Sequence, residues 1–150
     1  MNHLNIPREI LKQIMSTIGT NPVESGGIFA IHGNTISDYY FDAEAGVGNR
    51  FYRPSMNTLT AKGTKWIQDG QTFGGFIHSH RAQYSELSPM DIVTAEMTMS
   101  VNNMKSLFMA IICEKKLYLY RVTARPQENT SVVENCEFTI TSSTQRDMNS

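Results

Sequence analysis

Phe73-Gly74-Gly75-Phe76-Ile77-His78-Ser79-His80, residues 73–80, is the stretch on which the reading of this 150-residue chain turns. Phe73 to Ser79 is short and apolar among small residues, so it reads as a strand, and it runs out into two histidines at i and i+2. A polar loop, Arg81 to Leu87, follows. Ser88-Pro89-Met90-Asp91 then opens a helix towards Asn102, with Ser at N-cap, Pro at N1 and an acid at N3. Within that helix Ile92, Val93, Met97 and Val101 are expected to face inward.

On the N-terminal side, Ile28 to His32 and Thr35 to Phe41 read as a hairpin around Gly33-Asn34. From Pro7 onward, Ile10, Leu11, Ile14, Met15 and Ile18 fall at helical spacing, and Gly19 ends the run. Phe51 to Arg53 is a weaker strand candidate. Asn57 can cap a further helix whose Leu59, Trp66 and Ile67 share a face and which ends at Gly70. Leu107 to Cys113 and Leu117 to Val122 read as strands joined by Glu114-Lys115-Lys116. Glu137 to Thr141 adds a strand, and Thr144 to Ser150 is expected to fray. Helices interspersed with strands predict an α/β or α+β fold, a mixed sheet flanked by helices. The expectation is one domain over 1–150, its core about 7–122, with a polar extension at 123–150.

Fourteen acidic against thirteen basic side chains leave a net charge of −1, which gives no electrostatic reason to expect nucleic acid or an anionic membrane as partner. The longest apolar run, Leu107 to Cys113, is far short of the roughly 20 residues that span a bilayer. Arg8, Glu9 and Lys12 interrupt any secretory apolar segment near the N-terminus. Two cysteines, Cys113 and Cys136, make neither a disulfide scaffold nor a cysteine zinc site. These features predict a cytoplasmic protein.

Two histidines at i and i+2 on an extended chain project to the same side and can grip one metal ion. They can equally be polar residues where a strand enters a loop. Asp91, eleven residues after His80, has two readings as well. It caps the helix N-terminus, or it is a third ligand carried back over the strand end by the loop; the carboxylate is not expected to be fully committed to both tasks, so the two readings are distinguishable. His, His and Asp would suit a zinc ion with one position left for water, the pattern of a catalytic site. Hydrolysis would further need a base, for which Glu24, just before Ser25-Gly26-Gly27, is the candidate.

Glu24, then His78-Ser79-His80, seven residues, and Ser88-Pro89-Met90-Asp91 together resemble the JAMM signature of the MPN+ (JAB1/MPN/Mov34) metalloproteases. The resemblance covers residues 7 to 122 and is similar to compact prokaryotic JAB-domain proteins. It implies an MPN/JAB, cytidine deaminase-like fold and one zinc per chain with a catalytic water, held by His78, His80 and Asp91. It further implies Glu24 as general acid/base and Ser88 as the donor to the oxyanion. Arg81 stands where many members have proline; it is a solvated loop residue or a contact to an acidic substrate. Ser79, pointing to the opposite face, is assigned a supporting structural role.

The activity implied is that of a zinc isopeptidase acting after the C-terminal tail of a ubiquitin-like, β-grasp protein. The tail is expected to lie extended along a neighbouring sheet edge. E1-like or E2-like proteins are the accompanying partners, as in bacterial CBASS antiphage conjugation systems. Two alternatives are removal of a small amino-acid adduct from a sulfur-carrier protein and a non-catalytic MPN scaffold, a class that typically lacks some ligands. His3 and His32 read as surface residues and Cys113 as a small core residue. Met97 and Met104 are expected to fill the core, with Met99 or Met109 exposed to a partner.

Overall fold

Period-two alternation along the central strands sorts their side chains onto two faces, and the helices cover both. The computed structural model describes residues 2–20, 23–45 and 52–142. Along the chain run β1 (His3–Pro7), α1 (Arg8–Thr17), β2 (Gly26–His32), β3 (Thr35–Phe41) and α2 (Met56–Gln68). Then come β4 (Thr72–Ser79), α3 (Pro89–Val101), β5 (Ser106–Cys113), β6 (Lys116–Arg125), β7 (Thr130–Asn135) and β8 (Glu137–Thr141). Among the described residues the strands form one mixed sheet in the order β7-β6-β5-β4-β2-β3-β1-β8. β4 pairs parallel with β5, and β1 parallel with both β3 and β8; the other neighbours are antiparallel. This is a mixed α+β fold.

Phe29 of β2 and Ile77 of β4 face α1, in a core with Leu4, Ile6, Ile10, Ile14 and Ile18. Ile28 and Phe76, one residue earlier in each strand, face α2 and α3 with Leu59, Trp66, Ala95, Met99 and Met109. Each such side chain, fully buried, contributes about 1.5–3 kcal/mol. The same alternation sends His78 to the α2/α3 face and Ser79 to the α1 face.

The hairpin β2–β3, the strands β5 and β6 and the strand at Glu137–Thr141 form where the sequence places them. Glu114 and Lys115 both take positive φ (51° and 64°), the backbone of a two-residue hairpin turn. Four expectations are corrected. On α3, Val93, Met97 and Val101 are exposed (Val101 at 82%), and Ala95, Thr98 and Met99 are buried instead. Apolar residues surround this helix, so their spacing does not select a face, and small Ala95 admits the closest approach to the sheet. Met99 and Met109 are accordingly core residues, and Met97 is exposed. On α2, Leu59, Gly63 and Trp66 line the buried face and Ile67 is 65% exposed, because neighbours about 100° apart cannot both centre on one stripe. That helix begins at Met56 after Ser55, not after Asn57.

β1 and β7 go unread in the sequence. With β8 they lie outside 7–122 apart from Pro7, and β7 and β8 form the edges of the sheet. Tyr52 and Arg53 belong to no strand, while Phe51 and Thr144 to Ser150 lie outside the described residues. Among the described residues no helix is long and apolar enough to cross a membrane.

Gly75 sits opposite Phe108 in the β4–β5 ladder, and a Cβ there would fall onto the Phe108 carbonyl oxygen. Since that oxygen is held in the ladder, Gly75→Ala is expected to cost about 3 kcal/mol or more. Urea unfolding of the chelated protein measures it. A loss under about 1 kcal/mol would show that the two strands do not approach this closely.

Candidate metal centre

His78 is the next-to-last residue of β4 and His80 follows the strand, so both imidazoles leave the sheet on one side, their ring centroids 4.7 Å apart. Three contacts latch the loop after them. The Cys113 thiol donates to the Arg81 carbonyl (3.2 Å), His80 Nδ1 lies 2.9 Å from the Tyr84 carbonyl, and the Tyr120 hydroxyl donates to the Ser85 carbonyl (2.6 Å). The latched loop delivers the N-terminus of α3 over the strand end. Asp91 Oδ1 then stands 2.9 Å from His78 Nε2, and Oδ2 stands 3.1 Å from His80 Nε2.

Asp91 also completes a capping box. Its Oδ2 accepts the Ser88 N–H at 2.8 Å, and Ser88 Oγ accepts the Asp91 N–H at 3.1 Å. The cap and the approach to both histidines are thus made by one carboxylate. A carboxylate offers about four lone-pair sites, and the cap takes one, on the oxygen facing His80. The cap fixes the rotamer that aims the group at the histidines.

The ligand atoms of His78, His80 and Asp91 lie within 4.8 Å of one another, close enough to converge on a single ion. Two observations match this donor set to a metal. Buried His78 Nε2 has no hydrogen-bond partner, although the Asp91 carboxylate is beside it. The Tyr84 carbonyl can only accept, so His80 Nδ1 carries a proton and Nε2 is the nitrogen turned to the site, the orientation that outer partners impose on ligating histidines. Burial opposes ionisation of Asp91, but His78, His80 and the Ser88 amide outweigh it and hold its carboxyl well below the usual carboxylate range. Burial likewise opposes charge on His80, yet Asp91, the Tyr84 carbonyl and the charge of Glu24 together raise its pKa above the ordinary value.

Glu24 reaches the site through sheet register. Gly26 pairs with His78 in the antiparallel β2–β4 ladder, and continuing that register lays Ser25 beside Ser79 and Glu24 beside His80. Glu24, His78, His80, Ser88 and Asp91 all line one open cleft of about 1190 Å³. Arg81 lines it too and is exposed.

Tyr52 went unnoticed in the sequence. Its ring stacks on His78 (centroids 5.7 Å apart, planes at 29°), and its hydroxyl donates to Asp42 Oδ2 at 2.9 Å. Asp42 is 2% exposed and also accepts the Ser55 N–H at 2.8 Å. Burial, reinforced by Asp42, pushes the Tyr52 phenol far above its ordinary pKa. A Cβ on Gly26 would strike both the Tyr52 ring and His78 Cβ, so this glycine admits the stack. His3 and His32 stand apart from the centre, and Cys113 is buried.

No family model and no curated protein matches this sequence. Solved structures do. The protein DSY2949 from Desulfitobacterium hafniense is 14% identical, with a TM-score of 0.66 over 93% of each chain, a likeness of fold. The JAB1/MPN domain protein AF2198 from Archaeoglobus fulgidus is 16% identical, with a TM-score of 0.49 over 91% of this chain and 99% of that one. A structure described as "JAMM: a metalloprotease-like zinc site in the proteasome and signalosome" is 13% identical, with a TM-score of 0.46 over 91% and 97%.

Proposed function

We propose that this chain is a JAMM-type zinc peptidase that cleaves after the C-terminal tail of a ubiquitin-like protein, trimming a precursor or releasing a conjugated target. The observation that carries this reading is the convergence of His78, His80 and Asp91 from two separate elements, with Glu24 lining the same cleft. His78 Nε2, His80 Nε2 and an Asp91 oxygen would hold the ion. Zinc in such a set supplies Lewis acidity and an acidified water. Glu24 takes the proton of the attacking water and returns it to the leaving amine. Ser88 Oγ accepts from the Asp91 amide, which leaves its own proton to donate to the oxyanion.

We place the substrate tail in the cleft and not on a sheet edge. β4 is paired on both sides, by β2 and β5, and the free edges belong to β7 and β8. In place of docking along a neighbouring sheet edge, the proposal has the tail gripped by the cleft walls, where Tyr52, Phe76 and Met109 supply apolar surface. A narrow tail of small residues fits such a channel where a folded chain does not.

The test is incubation of zinc-loaded protein with a ubiquitin-like β-grasp protein carrying a C-terminal extension, followed by intact-mass measurement. Cleavage at the end of the tail, abolished by chelator, is expected. Binding without cleavage of either fusion or conjugate would overturn the peptidase reading and point to a small adduct or a scaffold role.

A further inference from the structure

We propose that Ser79, the residue between the two histidines, is a positioning residue that sets Glu24 at its working distance from the metal centre. The inference rests on the reading of Glu24 as proton carrier. Ser79 points away from the cleft, to the α1 face, and is buried together with Ser25. Its Oγ accepts the Ser25 N–H at 3.0 Å, the amide of the Glu24–Ser25 peptide bond itself. The same hydroxyl lies 3.4 Å from the Ser25 carbonyl, which also accepts the Ser79 backbone N–H at 2.9 Å. One residue therefore grips both ends of Ser25. On its other side its own peptide bonds run directly into His78 and His80.

The geometry makes a short, stiff ruler. Glu24 precedes the first full ladder pair of β2, where the chain has just left the segment after α1, and regular strand pairing begins only at Gly26. Without the Ser79 hydroxyl, a buried Ser25 N–H loses its acceptor, and the segment must shift to find another. A shift of the order of 1 Å at a proton carrier costs up to about 100-fold in rate while leaving ligands and cleft in place. A merely structural serine would instead lower stability and leave turnover per folded molecule unchanged.

Two measurements test this. Hydrogen exchange on chelated protein reads the clamp without reference to activity. Ser79→Ala is expected to speed exchange across residues 23–27 by about tenfold or more, with β5 amides unchanged as the control for folding, and Ser79→Thr is expected to restore protection. Kinetics on the β-grasp fusion then read the link to Glu24. Ser79→Ala is expected to lower kcat about 10- to 100-fold at unchanged KM and zinc content, with Ser79→Thr recovering most of it. Placed in a Glu24→Gln background, Ser79→Ala is expected to have no further effect. Unchanged exchange at 23–27, or a kcat loss that persists undiminished in that background, overturns the proposal. If wild type itself cleaves nothing while exchange responds as expected, the clamp stands and the peptidase reading is what has failed.

Discussion

Asp91→Ala protein is expected to purify with well under one zinc per chain and to have no measurable hydrolytic activity. Among the described residues Asp91 is the carboxylate that meets both histidines, at 2.9 and 3.1 Å, so its removal leaves two imidazoles with no carboxylate in contact with them. The loss of affinity should exceed the roughly 10- to 100-fold typical of removing an outer partner of a ligand. The substitution also empties half of the capping box, which should cost about 1 kcal/mol in the metal-free protein. Asp91→Asn separates the two roles. Its amide oxygen can still accept the Ser88 N–H, so stability should return while zinc does not. Elemental analysis and urea unfolding check the pair; full zinc occupancy in Asp91→Ala would place the third ligand elsewhere.

The central part of the fold is legible because each element there carries its own punctuation. Gly33-Asn34 sits between two apolar runs, Ser88-Pro89 opens α3, and Gly70 follows α2, so each element is bounded by residues with a local reason to be there. What resists reading depends on distant partners. His3–Pro7 is a strand because β3 and β8 flank it, and nothing in five residues ahead of an amphipathic helix announces that. Thr130–Asn135 is an exposed edge strand paired only with β6, and its polar composition follows from facing water. The inverted face of α3 has the same origin. With Met, Val and Ile distributed around the helix, the choice falls to Ala95, whose small size is informative only once the opposing sheet is known.

The site divides along the same line. His78 and His80 are paired by strand geometry, and Asp91 is marked by a local cap, so both are visible as spacing. Tyr52 and Asp42 are not, since their link to His78 runs through a stack and a buried hydroxyl bond joining residues far apart in the chain. The sequence poses cap and ligand as competing readings of Asp91. The Ser88 amide and His78 meet different oxygens of that one carboxylate, and the cap fixes its aim at the histidines.

Glu24→Gln should separate chemistry from assembly more cleanly than any other single change. Glutamine keeps the length and hydrogen-bonding reach of the side chain but cannot take up a proton at neutral pH. Glu24 makes none of the contacts among His78, His80 and Asp91 that define the metal centre, so zinc content should remain that of wild type. Its backbone is fixed through Ser25 and Ser79 rather than through its carboxylate, so stability should also hold. Turnover should fall by about 10²- to 10⁴-fold, the usual contribution of a positioned acid–base group. With the cleft walls untouched, the fall should appear in kcat and not in KM. Glu24→Asp gives the geometric control: it restores the carboxylate but withdraws it by one methylene, so it should recover part of the rate if proton transfer across a fixed distance is the limiting role. The measurement is single-turnover cleavage of the β-grasp fusion by zinc-loaded protein, with zinc quantified in the same samples. Unimpaired cleavage by Glu24→Gln at full zinc occupancy would remove Glu24 from the mechanism. Loss of zinc in that variant would make it a fourth ligand in place of a proton carrier.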